Sequence, residues 1–100
     1  MGFEVTHADG RRNATFRLKK IDALMAELDG AEDARVSLSN DHGGRLTAYA
    51  SGAVEFEFQG ELRHRLDQSR NVAARLFTSL AGNGQGWLDS LAWEPGGAPG

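Results

Sequence analysis

The chain has 100 residues, of which 40% are hydrophobic and 25% are charged. This composition is typical of one ordinary globular domain and argues against global disorder. Cysteine is absent, which excludes a disulfide framework and a thiolate zinc site, and the net charge of −3 argues against nucleic-acid binding. Since the chain has neither the apolar run of a signal peptide nor a segment long enough to span a membrane, we expect a cytoplasmic protein with no membrane contact.

The acidic residues are concentrated in the middle of the chain. Residues 1–20 carry a net charge of +3, residues 21–60 a net charge of −6, and residues 61–100 a net charge of 0. An acidic surface attracts basic partners and speeds their encounter. The charge distribution therefore favours a basic protein partner over nucleic acid.

The first predicted element is a β-hairpin. Phe3 and Val5 alternate with polar residues, which is the period of a half-buried strand. The Asp9-Gly10 pair that follows has the composition of a tight turn. Alternating apolar residues over 14–18 then predict the returning strand.

A helix is predicted next, over about residues 20–29. Apolar residues at positions i, i+3, i+4 and i+7 form one stripe on its surface. These residues are Ile21, Leu24, Met25 and Leu28. Gly30 stands where a glycine commonly ends a helix.

Three strand-like segments follow, over residues 35–39, 45–50 and 54–59. A Gly-rich loop at 40–44 and a short turn at 51–52 separate them. Apolar and polar residues alternate in each segment, which predicts an antiparallel meander with one buried and one solvated face.

A second helix is predicted to begin near Asp67 or Ser69, because either residue is a suitable N-cap, and to end at Gly82. A short final strand is predicted at residues 91–94, and a flexible Gly/Pro tail at residues 95–100.

The predicted order ββ-α-βββ-α-β indicates an α+β fold. We expect a two-layer sandwich with a mainly antiparallel sheet and two helices on one of its faces. One such domain would occupy residues 1–94.

No residue pattern in the sequence predicts catalysis, a cofactor or a metal ion. His7, His42 and His64 lie alone on different predicted elements, so their spacing does not suit a metal site. The glycines of residues 82–86 follow the end of a helix, where the helix dipole disfavours an anion. We therefore expect no cofactor and no enzymatic activity.

The polar side of the predicted meander is the candidate binding surface. Val54, Phe56 and Phe58 are expected to be buried, which leaves the alternate positions of the strands exposed. The Gly-rich loop at 40–44 contributes two further polar residues. The candidate partner-binding residues are Thr47, Tyr49, Glu55 and Glu57 on the strands and Asp41 and His42 in the loop.

The order of elements resembles the Imm1-type immunity proteins of bacterial polymorphic toxin systems. The resemblance rests on the short early helix at 21–25, the meander with its Gly-rich turn at 36–46, and the helix that leads through Gly82 to a strand with a tryptophan at 91–94. It implies a cytosolic protein that neutralises a cognate toxin by binding it, with no catalytic residues of its own.

The sequence thus predicts a non-catalytic protein-binding module, either an immunity-type inhibitor of a toxin or a small acidic chaperone of an effector. The alternative is a homo-oligomeric structural protein, for example a homodimer that pairs through an edge strand. A small enzyme is the third hypothesis, with a pocket built from dispersed polar residues. Its candidate residues are Asp41, His42, Tyr49 and Glu55.

Overall fold

The computed structural model describes residues 2–98, which form a seven-stranded antiparallel sheet with helices packed on one face. The strands are β1 (Phe3–Thr6), β2 (Arg12–Asn13), β3 (Arg35–Asn40), β4 (Arg45–Tyr49), β5 (Val54–Phe58), β6 (Glu61–Arg65) and β7 (Glu94–Pro95). The α-helices are α1 (Ile21–Ala26), α2 (Arg70–Ala81) and α3 (Gln85–Asp89). The strands lie in the order β2-β1-β3-β4-β5-β6-β7. The predicted α+β class with a mainly antiparallel sheet is confirmed.

The core lies between the sheet and the helices. Val5, Leu38, Leu46 and Phe56 are aligned across four neighbouring strands, and each is 0% exposed. Helix residues in the same buried cluster are Leu24, Leu28, Leu76, Phe77 and Leu80. Burial of these side chains is the main favourable term in the stability of so small a sheet.

Strand β5 confirms the predicted separation of the two faces. Val54 and Phe56 are buried, and the half-buried Phe58 stacks on Phe56 with ring centroids 6.0 Å apart. Glu55 and Glu57 point to the other side and are half-exposed. The acidic residues of this strand therefore lie on a face that the helices do not cover.

The predicted second strand over residues 14–18 is wrong, because β2 ends at Asn13. The Asn13 side-chain oxygen accepts hydrogen bonds from the backbone N–H of Thr15 at 2.9 Å and from its hydroxyl at 3.0 Å. This local turn competes with the sheet for the backbone, and a 3-10 turn begins at Leu18. The apolar alternation alone could not reveal that competition.

Both predicted helices are present, and a third, α3, lies where the sequence predicts none. The first is shorter than expected, since α1 ends at Ala26 and continues as a 3-10 turn over Glu27–Gly30. The second has Ser69 as its N-cap, whose hydroxyl accepts the backbone N–H of Val72 at 3.2 Å, and Gly82 as its C-cap. The predicted caps therefore indicate the ends of α2 more accurately than the apolar periodicity indicates the end of α1.

The strand β6 lacks the apolar alternation that would have predicted it. Its helix-side positions hold Arg63 and Arg65, whose guanidinium groups lie 5.2 Å from the ring centroid of Phe56 and 5.7 Å from that of Trp93. Arg63 also pairs with Asp89 at 2.6 Å. At this margin of the core, the two arginines take the place of aliphatic residues: their methylene groups cover apolar surface and their guanidinium groups make cation–π contacts.

The C-terminal segment belongs to the sheet. The last strand is Glu94–Pro95 rather than residues 91–94, because Trp93 packs on the core and donates its indole N–H to the carbonyl of Leu88 at 2.7 Å. Of the predicted tail, Pro95 pairs with β6 and residues 96–98 make further contacts, while residues 99 and 100 lie outside the described residues. Within residues 2–98, none of the helices has the length and apolarity that crossing a bilayer requires.

The assignment of the two sheet faces can be tested by paired substitutions on β5. Phe56→Ala should lower the free energy of unfolding by about 3–5 kcal/mol, because it removes a fully buried ring and leaves a cavity. Glu57→Ala on the opposite face should change it by less than about 1 kcal/mol. Urea denaturation followed by circular dichroism measures both, and equal losses would contradict the face assignment.

The connection between α2 and α3 can be tested with its glycines. A Cβ at Gly84 would lie 2.7 Å from the backbone oxygen of Ser79, whereas one at Gly86 would meet nothing within 4 Å. Gly84→Ala should therefore destabilise the chain by about 1–3 kcal/mol. Gly86→Ala, in the helix, should leave stability unchanged or raise it by up to about 1 kcal/mol. Thermal unfolding of the two variants makes the comparison, and similar melting temperatures would count against this packing.

Candidate functional site

The sheet face opposite the helices, here called the open face, carries polar side chains in register across the strands. One row across five strands consists of Thr6, Ser37, Thr47, Glu55 and His64. The next row consists of Glu4, Ser39, Arg45, Glu57 and Leu62. Hydroxyl groups and charges of both signs therefore stand side by side on a broad surface.

A hollow of about 550 Å³ lies on the open face. The turn between β1 and β2 forms one wall through Thr6 to Gly10, and strands β3, β4 and β5 supply the rest. The polar strand residues that line the hollow are Arg35, Ser37, Arg45, Thr47, Tyr49 and Glu55. Three of the six sequence-predicted site residues, Thr47, Tyr49 and Glu55, are thus brought together in one place.

Tyr49 lies at the centre of this hollow, between an acidic and a basic residue. Its hydroxyl donates a hydrogen bond to Glu55 Oε1 at 2.6 Å. Arg35 lies directly opposite Tyr49 in the β3–β4 register, so the sheet places a guanidinium group on the other side of the phenol. The positions of the three residues are therefore set by the strands that carry them.

The environment of Tyr49 favours the neutral phenol. Burial raises the pKa of Tyr49 above its ordinary value of 10.0, the hydrogen bond and negative charge of Glu55 raise it further, and Arg35 lowers it in part. The folded chain therefore holds this proton more tightly than the unfolded chain does. The resulting contribution to stability is complete below about pH 10 and is lost as the pH rises above it.

The second carboxylate oxygen of Glu55 is also engaged. Glu55 Oε2 accepts the backbone N–H of Ala98 at 2.8 Å. With Tyr49 on the other oxygen, both oxygens of this carboxylate have partners inside the chain. The C-terminal segment therefore reaches the candidate site, which no pattern in the sequence predicts.

Glu57 belongs to the neighbouring row of the open face. It forms an ion pair with Arg45, which is its cross-strand neighbour in the β4–β5 register. Both side chains are about half exposed, so this pair adds little to stability. Its charges remain accessible to an approaching molecule.

Asp41 and His42 lie apart from the hollow, in the turn between β3 and β4. Asp41 Oδ2 accepts the backbone N–H of Gly2 at 3.1 Å, and Asp41 Oδ1 lies 2.9 Å from His42 Nδ1. The Gly2 N–H is the main reason why the pKa of Asp41 is lowered, and the contact with His42 lowers it further. Tyr49 ends β4 at its far end, so these two predicted site residues do not join it.

The sequence interpretation missed the basic half of the site. Arg35 and Arg45 share the strand phase of Ser37, Thr47 and Tyr49, and that phase alone would have placed them on the open face. They stand in a segment that is acidic overall, so net charge alone does not indicate them. The open face is therefore mixed in charge where an acidic surface was expected.

The remaining titratable side chains near the hollow are held by local contacts. His7 Nδ1 lies 2.8 Å from Glu27 Oε2, and Glu27 Oε1 accepts the backbone N–H of Ala8 at 2.9 Å. Over residues 2–98, no three His, Cys, Asp or Glu side chains come close enough together to hold a metal ion.

Comparison of the chain with known protein families, with curated proteins and with solved structures finds no significant match.

The surroundings of Tyr49 can be tested by titration, because Tyr49 is the only tyrosine of the chain. The ultraviolet absorbance of the phenolate should report a pKa above 10.0 in the native chain. Glu55→Gln should lower that pKa, since it removes the negative charge beside the phenol, and Arg35→Gln should raise it. Glu57→Gln is the matched control and should leave it unchanged. Equal effects of the Glu55 and Glu57 substitutions would disprove the contact.

Proposed function

We propose that this chain is a non-catalytic protein-binding module that contacts its partner through the open face around Tyr49. The observation that carries the proposal is the Tyr49 phenol, hydrogen-bonded to Glu55 and opposite Arg35 in the strand register, beside a 550 Å³ hollow. Tyrosine and arginine supply much of the binding energy at protein interfaces. Side chains that are already ordered lose less entropy when a partner binds.

The charges of the open face support a partner-specific role. Arg35 and Arg45 alternate with Glu55 and Glu57 within a few strand spacings. A partner with the complementary charge pattern gains binding free energy from each ion pair. A partner with a different pattern brings like charges together, which repel. Such a mosaic favours recognition of one protein surface over general adhesion to basic molecules.

The pKa of Tyr49 argues against an acid–base role for this residue. A general acid or base works best when its pKa lies near the operating pH. Burial and Glu55 move the pKa of this phenol upward and away from neutrality. The same environment suits a neutral phenol that donates a hydrogen bond in an interface.

The edges of the sheet give less support to a homodimer through edge strands. The outermost strands, β2 and β7, contain two residues each. Two residues offer few free backbone groups for a second copy to pair with. Light scattering over a range of concentrations distinguishes the hypotheses, since dimerisation would favour the assembly role.

Two kinds of partner fit the proposal. One is a toxin whose active surface the open face would cover, as the resemblance to Imm1-type immunity proteins implies. The other is an effector that the chain would escort as a small acidic chaperone. Co-expression separates them: an immunity-type inhibitor abolishes the toxicity or activity of its partner, whereas a chaperone raises the yield of active partner. Either activity is expected in the cytoplasm.

The open face can be tested by charge reversal. Tagged chain should capture one partner from an extract of the native host, and Glu55→Lys should reduce capture by at least tenfold because it breaks the Tyr49 contact and reverses a charge. Asp22→Lys makes the same charge change on α1 and should capture the partner normally. Quantitative mass spectrometry makes the comparison. Equal capture by both variants would remove the open face from the proposal.

The identified partner then permits a finer measurement. Tyr49→Ala should weaken binding by about 2 kcal/mol or more, which is about 30-fold, while Tyr49→Phe should lose less because it keeps the ring. Calorimetry with purified proteins at two salt concentrations gives both values. Affinity that is unaltered in both variants would place the contact elsewhere.

A further inference from the structure

The C-terminal segment folds back onto the open face. Residues 96–98, here called the C-terminal strap, follow directly after β7. The N–H of Gly96 donates to the carbonyl of Leu62 at 2.9 Å, and the carbonyl of Gly96 lies 3.0 Å from His64 Nδ1. The strap then ends on Glu55, through the N–H of Ala98. It therefore crosses from the margin of the sheet to the residue that anchors Tyr49.

The middle of the strap lies close against the open face. A Cβ at Gly97 would stand 3.0 Å from Glu55 Oε2 and 3.4 Å from Leu62 Cδ2. Glycine thus allows the backbone to approach the carboxylate more closely than a residue with a side chain could. Nothing could contact Glu55 Oε2 from this direction without moving the strap.

The composition of the strap suits a removable cover. Its residues are Gly96, Gly97 and Ala98, so no large side chain anchors it to the face. Its holding contacts are hydrogen bonds, two of which end on partly exposed side chains. The net gain from such bonds is comparable to the entropy lost when flexible glycines are ordered. The closed and released arrangements are therefore close in free energy.

We infer that residues 96–98 act as a strap that covers Glu55 in the free chain, and that release of the strap opens the binding face. This inference rests on the proposed function for its purpose but not for its test. A basic partner side chain would give Glu55 an ion pair with two charged groups, whereas the Ala98 N–H is an uncharged donor to the same carboxylate. A matching partner can thus replace the strap, whereas a weak or uncharged one cannot.

Chemical labelling of carboxylates tests the cover without any partner. Carbodiimide and glycine ethyl ester convert accessible carboxylates to amides, and fragment-ion mass spectrometry separates Glu55 from Glu57. Truncation after Pro95 removes the strap but keeps β7, so the labelling rate of Glu55 should rise severalfold relative to Glu57. The far-ultraviolet circular dichroism of the truncated chain should match that of the full chain.

A pair of full-length variants makes the same test by conformation alone. Gly96 has φ +86° and Gly43 has φ +85°, and a Cβ at either position would meet nothing within 4 Å. Both alanine substitutions therefore act only through backbone strain. Gly96→Ala should raise the labelling of Glu55, and Gly43→Ala, in the distant β3–β4 turn, should not.

The outcomes separate the strap from the binding function. An unchanged Glu55 rate in the folded truncated chain overturns the strap, and if truncation unfolds the chain, an unchanged rate in Gly96→Ala does so. A raised rate supports the strap even if charge reversal at Glu55 leaves partner capture intact, a result that would overturn only the binding proposal. With a purified partner, the truncated chain should bind severalfold more tightly than the full chain.

Discussion

Burial of one side of the sheet is the constraint on which the rest of the structure depends. The apolar row of Val5, Leu38, Leu46 and Phe56 fixes the register of four strands at once. Because side chains alternate with a period of two, a slip by one residue would turn this row towards water and carry Glu55 into the core. Core packing therefore also determines which polar side chains lie on the open face, and it holds them in place.

The sequence predicted those parts of the fold in which local pattern and tertiary packing agree. Apolar alternation located β3, β4 and β5, and the cap at Ser69 located the start of α2. Where side-chain hydrogen bonds or charged residues determine the structure, the apolar pattern predicts the wrong element or none. The Asn13 side chain ended a strand that the alternation would have continued, and β6 places arginine at the margin of the core, which no hydrophobic period can reveal.

The sequence predicts on which sheet face the candidate site lies, but not which residues contact one another there. Strand phase alone placed Thr47, Tyr49 and Glu55 on one face. The hollow that they line also needs the β1–β2 turn as a wall, which strand phase does not predict. The contact between Glu55 and Ala98 spans 43 residues and depends on where the chain goes after Trp93, which local periodicity does not encode. Local patterns also do not show that the turn residues Asp41 and His42 lie apart from the strand residues of the hollow, because that distance depends on the sheet.

The two-residue strands at both margins of the sheet also limit its growth. A hydrogen-bonded ladder propagates from molecule to molecule only where a long, flat border is free to serve as a template. Here β2 covers half of β1, and β7 with the segment after it covers much of β6. The sheet therefore terminates itself on both sides. It offers a second molecule only a short border to pair with, which disfavours stacking into fibres.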